Sequence, residues 1–212
     1  WIFYFNFWFT SFFPKKTNRI YYMKYKLALF ASGSGSNVEN IYNYFKNNNA
    51  IIPELLICNN KDAYVIERAK KINLAYEIIE PNSKNNNEFL LFLKSKKITH
   101  LILAGYLKLV GKEIIKRYRN KIINIHPALL PKYGGKGYYG DFVHKSVLDS
   151  KESKSGITIH LVNEKYDDGK VLFQKEVLID QLETIDSLAS KIHKLEHKYY
   201  PEIIEKHILN QL

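Results

Sequence analysis

Short apolar runs alternate with amphipathic stretches along most of the chain. KLALF (26–30) reads as a buried strand, followed by the Gly/Ser loop ASGSGSN (31–37). VENIYNYFKNN then places Val38, Ile41, Tyr42 and Phe45 on one helical face. IIPELLIC (51–58) predicts a second strand, AYVIERAKKI (63–72) a helix and AYEII (75–79) a third strand. NEFLLFLKSKK (87–97) is helical, HLILAG (100–105) a central strand, KEIIKRY (112–118) a helix and KIINI (121–125) a fifth strand. Strands that alternate with helices in this way predict an α/β fold, with a mainly parallel sheet covered by helices on both faces.

The pattern changes after His126. HPALLPKYGGKGYYG (126–140) is a long loop with two prolines and four glycines, and loops of this length in a compact domain usually carry function. DFVHKSVLDS reads as a helix. GITIHLV (156–162) and VLFQKEVLI (171–179) alternate as strands, and Asp168-Gly169 between them supplies a tight turn. This pair is expected to run antiparallel at the far side of the sheet. The stretch 187–212 predicts a C-terminal helix, bent at Pro201.

The chain has 212 residues and a formal net charge of +11. The lysines are scattered rather than striped, and Lys, Asn, Ile, Tyr and Phe are abundant throughout, as in proteins of A/T-rich genomes. The charge therefore predicts no nucleic-acid partner. A single cysteine, Cys58, closes an apolar run; it excludes an intrachain disulfide, and no Cys/His spacing suggests a metal. Residues 1–22 stand apart: WIFYFNFWFTSFF is aromatic and apolar, and Met23 is the only methionine. No basic region precedes the run, and it is shorter than the ~20 residues of a membrane span. We expect residues 1–22 to be a non-native upstream extension, with a short membrane anchor the alternative, and residues 23–212 to form one domain. Without the extension Lys15, Lys16 and Arg19 drop out and the charge becomes +8.

Two segments carry candidate chemistry. SGSGSN follows the first strand and opens the first helix, where close backbone approach and helix-start N–H groups favour an anion. Ser36 and Asn37 add donors and potential caps. A dinucleotide fingerprint would require a third glycine where Val38 stands and an acid where Asn59 and Asn60 stand, so a small phosphorylated substrate is the better expectation. INIHPALLP ends the fifth strand on the carboxyl edge of the sheet, where ligands of open α/β sheets bind. Asn124 and His126, two apart in an extended segment, point to one side. An amide donor beside an imidazole suits a carbonyl oxygen that becomes an oxyanion.

SGSGSN, LILAGYLKLV, INIHPALLPKY and YDDG, in this order and spacing, resemble the phosphoribosylglycinamide formyltransferase (glycinamide ribonucleotide transformylase) family, from about Lys26 to the C-terminus. The resemblance implies a Rossmann-like formyltransferase fold and cytoplasmic purine biosynthesis. It also implies formyl transfer from 10-formyltetrahydrofolate, a cosubstrate, to the amine of glycinamide ribonucleotide, with no metal. It assigns catalysis to Asn124, His126 and Asp167, with Asp168 the adjacent alternative. It assigns the ribonucleotide to Gly33, Gly35, Ser36, Asn37, His193 and Glu196, and the folate to Leu103, Lys108, Leu109, Val110 and His144. Partners are small molecules, without nucleic acid or membrane, for a monomer or homodimer. Relatives often carry two histidines after the NIHP loop; here Phe142 stands at one place and His144 at the other. His160 is expected to be a strand histidine satisfied by its surroundings, and His100, His197 and His207 to be surface or helix-packing residues. Methionyl-tRNA formyltransferases and formyltetrahydrofolate hydrolases share the superfamily but bear a further domain. Hydrolysis of the formyl folate, another formyl transfer and a non-catalytic nucleotide-binding module remain the alternatives.

Overall fold

The computed structural model describes residues 24–81 and 86–212; the expected extension over 1–22 and the start at Met23 lie outside the described residues. Among the described residues, seven strands form one sheet in the order β3-β2-β1-β4-β5-β6-β7. They are β1 (Tyr25–Ala31), β2 (Ile51–Cys58), β3 (Tyr76–Ile78), β4 (His100–Leu103), β5 (Ile122–His126), β6 (Lys154–Leu161) and β7 (Val171–Leu178). The first five pair in parallel, and β6 and β7 pair antiparallel. The chain reverses its direction of travel across the sheet between β1 and β4, which leaves a crevice at their carboxyl ends.

Strand parity sorts the core into two layers. Leu27, Leu29 and Ala31 of β1 face one layer, with α1 (Ser36–Phe45), α2 (Val65–Lys71), α5 (Asp141–Asp149) and α6 (Ile185–Ile208). Ala28 and Phe30 face the other, with α3 (Asn86–Ser95) and α4 (Lys112–Arg117). β2 preserves this division through a bulge: Leu27 pairs Pro53 but Ala28 pairs Leu55, so Glu54 is the extra residue and the parity switches there.

Helix α6 packs through Leu188, Ile192, Glu196, Tyr200, Ile204 and Ile208, spaced four apart. It runs as one helix through Pro201. The completely buried Tyr200 hydroxyl lies 2.9 Å from the Leu103 carbonyl and 3.0 Å from that of Ile123, tying α6 to β4 and β5. The β6–β7 link also differs from expectation: the turn falls on Tyr166–Asp167, and Asp167 rather than Gly169 takes a positive φ, of 51°. Gly169 serves closeness instead, since a Cβ there would lie 1.6 Å from the Leu161 carbonyl oxygen.

His100 is buried in β4, edge-on to Tyr25, rather than at the surface or between helices. Burial first, and the charges of Lys121 and His207 next, lower its pKa from 6.5 to about 4. The unfolded chain therefore binds a proton that the folded chain refuses between those two values, and stability falls with pH across that window. We expect the His100 contribution to cost roughly 2 kcal/mol between pH 7 and pH 5. Denaturant titrations of His100→Asn should show a flatter pH dependence than wild type over that range.

Candidate active site

At the carboxyl end of β5 the face that is apolar at Ile122 becomes polar. Asn124 and His126 share that face, and the antiparallel register sets His160 opposite Asn124 and Thr158 opposite His126. Asp167 approaches from the β6–β7 link. Its Oδ1 accepts from Asn124 Nδ2 at 3.4 Å and its Oδ2 from the Gly135 N–H at 2.9 Å. His126 Nδ1 stands 3.6 Å from Oδ2, and His160 Nε2 stands 3.6 Å from Oδ1. Asp168, by contrast, turns outward to Asn163 and Lys165. Asp167 thus faces the cleft and Asp168 faces away from it.

Tautomers follow from the partners, because a carbonyl only accepts. His126 Nε2 lies 2.7 Å from the Tyr133 carbonyl, so Nε2 carries the proton and Nδ1 faces Asp167. His160 Nδ1 donates to the Leu161 carbonyl at 2.9 Å, which leaves Nε2 to accept from Asn124 Nδ2 at 3.1 Å. His160 is therefore both satisfied by its strand and part of the cluster. Its position opposite Asn124 becomes visible only once the β5–β6 register is known.

Burial is the largest influence on His126 and lowers its pKa; the Asp167 charge and the Tyr133 carbonyl push upward without reversing that, and His160 adds to the lowering. Burial pushes Asp167 upward, yet the His160 and His126 rings and the Gly135 N–H together bring it below the ordinary carboxylate range. At neutral pH the unliganded pair is an ionised carboxylate beside a neutral imidazole. The Asp167 charge thus raises the His126 pKa, while burial decides the net direction.

A cleft of about 550 Å³ contains this cluster. Its lining includes Gly33, Gly35, Ser36, Asn37, His193 and Glu196, together with Leu103, Lys108, Leu109, Val110 and His144. The structure thus brings every site residue named from the sequence to one cleft. Gly35, with φ 77°, is itself the cap of α1; Ser36 and Asn37 form its first turn, and no side chain caps the helix. Asn37 instead donates from Nδ2 to Glu196 Oε2 at 2.9 Å. Burial raises the Glu196 pKa, with the Asn37 hydrogen bond and the His193 charge opposing. Lys108 is exposed and pairs with Glu80 at 3.2 Å. His144 is buried with Nδ1 unpartnered, whereas Phe142 is exposed. The rim also includes Tyr138 and Tyr139, which the sequence reading did not single out. Among the described residues, no group of three or more His, Cys, Asp or Glu side chains is placed to hold a metal ion.

The two loop glycines differ in kind. A Cβ on Gly35 would sit 2.2 Å from Val65 Cγ2 and 2.9 Å from the Val65 backbone, whereas one on Gly33 meets nothing within 4 Å. We expect Gly35→Ala to cost at least about 2 kcal/mol, from left-handed strain plus overlap, in denaturant unfolding. Gly33→Ala should unfold within about 0.5 kcal/mol of wild type.

Residues 25–204 match the formyl transferase family. The chain belongs to that family. Among curated formyltransferases, the chain is 37% identical over 187 residues to phosphoribosylglycinamide formyltransferase of Bacillus subtilis, covering 85% of this chain and 93% of that one. It is 39% identical over 189 residues to the chloroplastic phosphoribosylglycinamide formyltransferase of Arabidopsis thaliana, covering 84% of this chain and 64% of that relative's length. Among solved formyltransferase structures, glycinamide ribonucleotide transformylase 1 of Geobacillus kaustophilus superposes with a TM-score of 0.78 at 35% identity, covering 88% of this chain and 98% of that one.

Proposed function

We propose that this formyltransferase moves the formyl group of 10-formyltetrahydrofolate to the amine of glycinamide ribonucleotide, in cytoplasmic purine biosynthesis. One observation carries the reading. The Asn124 amide, His126 Nδ1 and the Asp167 carboxylate converge in one cleft that a glycine-rich helix start and apolar side chains also line. The helix start at Gly33–Asn37 suits the substrate phosphate, and the buried Glu196 carboxyl beside Asn37 suits the ribose hydroxyls. The half-exposed Leu107 and Leu109 and the aromatic rim offer an apolar bed for the folate rings.

The chemistry follows from the groups present. The substrate amine adds to the formyl carbon, and the carbonyl oxygen becomes an oxyanion. The Asn124 N–H and a His126 that acquires a proton at Nδ1 hold that charge. The proton comes from the attacking nitrogen, carried by the ionised Asp167 directly or through water. Collapse of the oxyanion breaks the bond to the folate nitrogen, which receives the same proton. The developing anion supplies the stabilisation that the buried, neutral imidazole lacks at rest. Because the resting form has neutral His126, we expect kcat/KM to lose activity toward acid pH only below about 6.5. A pH–rate profile with that limb above pH 7 would contradict this.

The reading takes residues 23–212 as one catalytic domain that handles small molecules as monomer or homodimer and needs no metal, nucleic acid or membrane. Purified protein mixed with 10-formyltetrahydrofolate, with and without glycinamide ribonucleotide, tests it. Amine-dependent release of tetrahydrofolate is expected. Release without the amine would make it a hydrolase, and no release a binding module.

A further inference from the structure

We propose that Tyr133 and Glu152 form a positioning pair that fixes His126 and Asp167 from behind. The proposal builds on the formyl-transfer reading above and adds two residues that touch no substrate. The backbone around Tyr133 holds both members of the His–Asp pair at once. The Tyr133 carbonyl accepts the His126 Nε2 proton at 2.7 Å, which directs Nδ1 toward Asp167. Two residues later the Gly135 N–H donates to Asp167 Oδ2 at 2.9 Å. Between them, a Cβ on Gly134 would lie 2.4 Å from Leu130 Cδ2 and 3.2 Å from Asp167 Cβ, so the segment presses directly against the carboxylate's own residue.

This segment is held in an unfavourable conformation. Tyr133 has φ 56°, a region that a bulky aromatic residue occupies only when its surroundings impose it. The imposing contacts are at the far end of the side chain. The Tyr133 hydroxyl donates to Glu152 Oε1 at 2.9 Å, and Lys132 Nζ donates to the same oxygen at 2.8 Å. The ring packs on the larger core layer and meets Tyr138 edge-on at 6.2 Å between centroids. Glu152 lies in the link between α5 and β6, clear of the substrate cleft, and its carboxylate is kept ionised by the Lys132 and Tyr133 hydrogen bonds. The phenol thus acts as a peg in a surface ion pair, and its own carbonyl aims the imidazole.

The titratable and charged groups around His126 are Asp167 from the β6–β7 link, His160 from β6 and His144 from α5. The Tyr133 carbonyl raises the His126 pKa, so a loosened peg lowers it further. The experiment compares Tyr133→Phe, Glu152→Ala, Glu152→Gln and the Tyr133→Phe/Glu152→Ala double variant. Two readouts are taken: steady-state kinetics, and the NMR titration of the His126 imidazole in ligand-free protein. For Tyr133→Phe and Glu152→Ala we expect kcat to fall ~5–20-fold with both KM values within about threefold, the signature of a lost alignment rather than lost binding. The His126 midpoint should move to lower pH in both. Glu152→Gln keeps an acceptor for the phenol and should recover most of the loss, and the double variant should be no worse than either single one.

Raised KM with unchanged kcat, or an unmoved His126 midpoint in variants that melt like wild type, overturns the proposal. If Tyr133→Phe fails to fold, Glu152→Ala carries the same test, because it removes the peg's partner and leaves Tyr133 itself unchanged. Wild-type protein without amine-dependent turnover would refute formyl transfer, whereas the NMR titration tests the peg without any substrate.

Discussion

Asp167→Asn is expected to lower kcat by at least ~10²-fold, while Asp168→Asn stays within about twofold of wild type. The substitution preserves shape but removes the charge that faces His126 Nδ1 at 3.6 Å. It also puts an amide where a proton must be accepted from the attacking nitrogen, and an amide is no base at neutral pH. The Gly135 N–H at 2.9 Å still finds an oxygen acceptor if the new amide is oriented suitably, so the loop has no reason to collapse. Asp168 reaches only Asn163 and Lys165 at the surface, where an ion pair contributes little. Purified variants assayed under saturating substrates decide the matter. Equal turnover in Asp167→Asn and wild type would remove Asp167 from the mechanism.

The same pair shows where sequence reading ends. The resemblance named Asp167, but residue patterns alone could not prefer it to Asp168. Neighbours in a turn point different ways, and which one faces inward depends on the turn's backbone. The expected turn at Asp168-Gly169 lies instead on Tyr166–Asp167, and the left-handed φ of Asp167 is what carries its carboxylate into the cleft. Asn124 and His126 were easier, since a spacing of two in a strand sends both side chains the same way. Glu196 had a signal of its own, an acid at one step of a four-residue apolar stripe along α6. His160 lacked one: as a lone histidine in an alternating strand it acquires meaning only from the register that sets it across from Asn124. The strand order was legible as a class, because strand–helix alternation forces parallel pairing. The bulge at Glu54 was not, since it reflects the parity required by the packed layers rather than any local preference.

His126 teaches a related lesson about charge. Proximity to a carboxylate suggests a raised imidazole pKa, and that influence is present. Yet the ring is only 4% exposed, and burial outweighs the neighbouring charge. A neutral resting imidazole is the better partner for a reaction that generates both a proton and an anion in the same step. It need not surrender a proton before it can accept one.

Asn124→Ala should also reduce kcat by at least ~10²-fold, the scale set by removal of one oxyanion donor. Its effect should exceed what the lost donor alone predicts, because the amide has two jobs in the resting site. Nδ2 lies 3.1 Å from His160 Nε2 and 3.4 Å from Asp167 Oδ1, so it bridges a ring nitrogen and a carboxylate oxygen that stand 3.6 Å apart. With the amide gone, nothing holds His160 and Asp167 apart, and a closer contact between them would draw the carboxylate away from His126. Asn124→Asp separates these contributions. It keeps the size but sets a second carboxylate within hydrogen-bonding distance of Asp167, where two like charges cannot both persist. We expect Asn124→Asp to be at least as damaging as Asn124→Ala at neutral pH and to recover partly as pH falls and the pair takes up a shared proton. Activity of both variants measured between pH 5 and pH 8 tests this. If Asn124→Asp lost activity toward acid in parallel with Asn124→Ala, the amide would be acting on the oxyanion alone, without ordering the carboxylate.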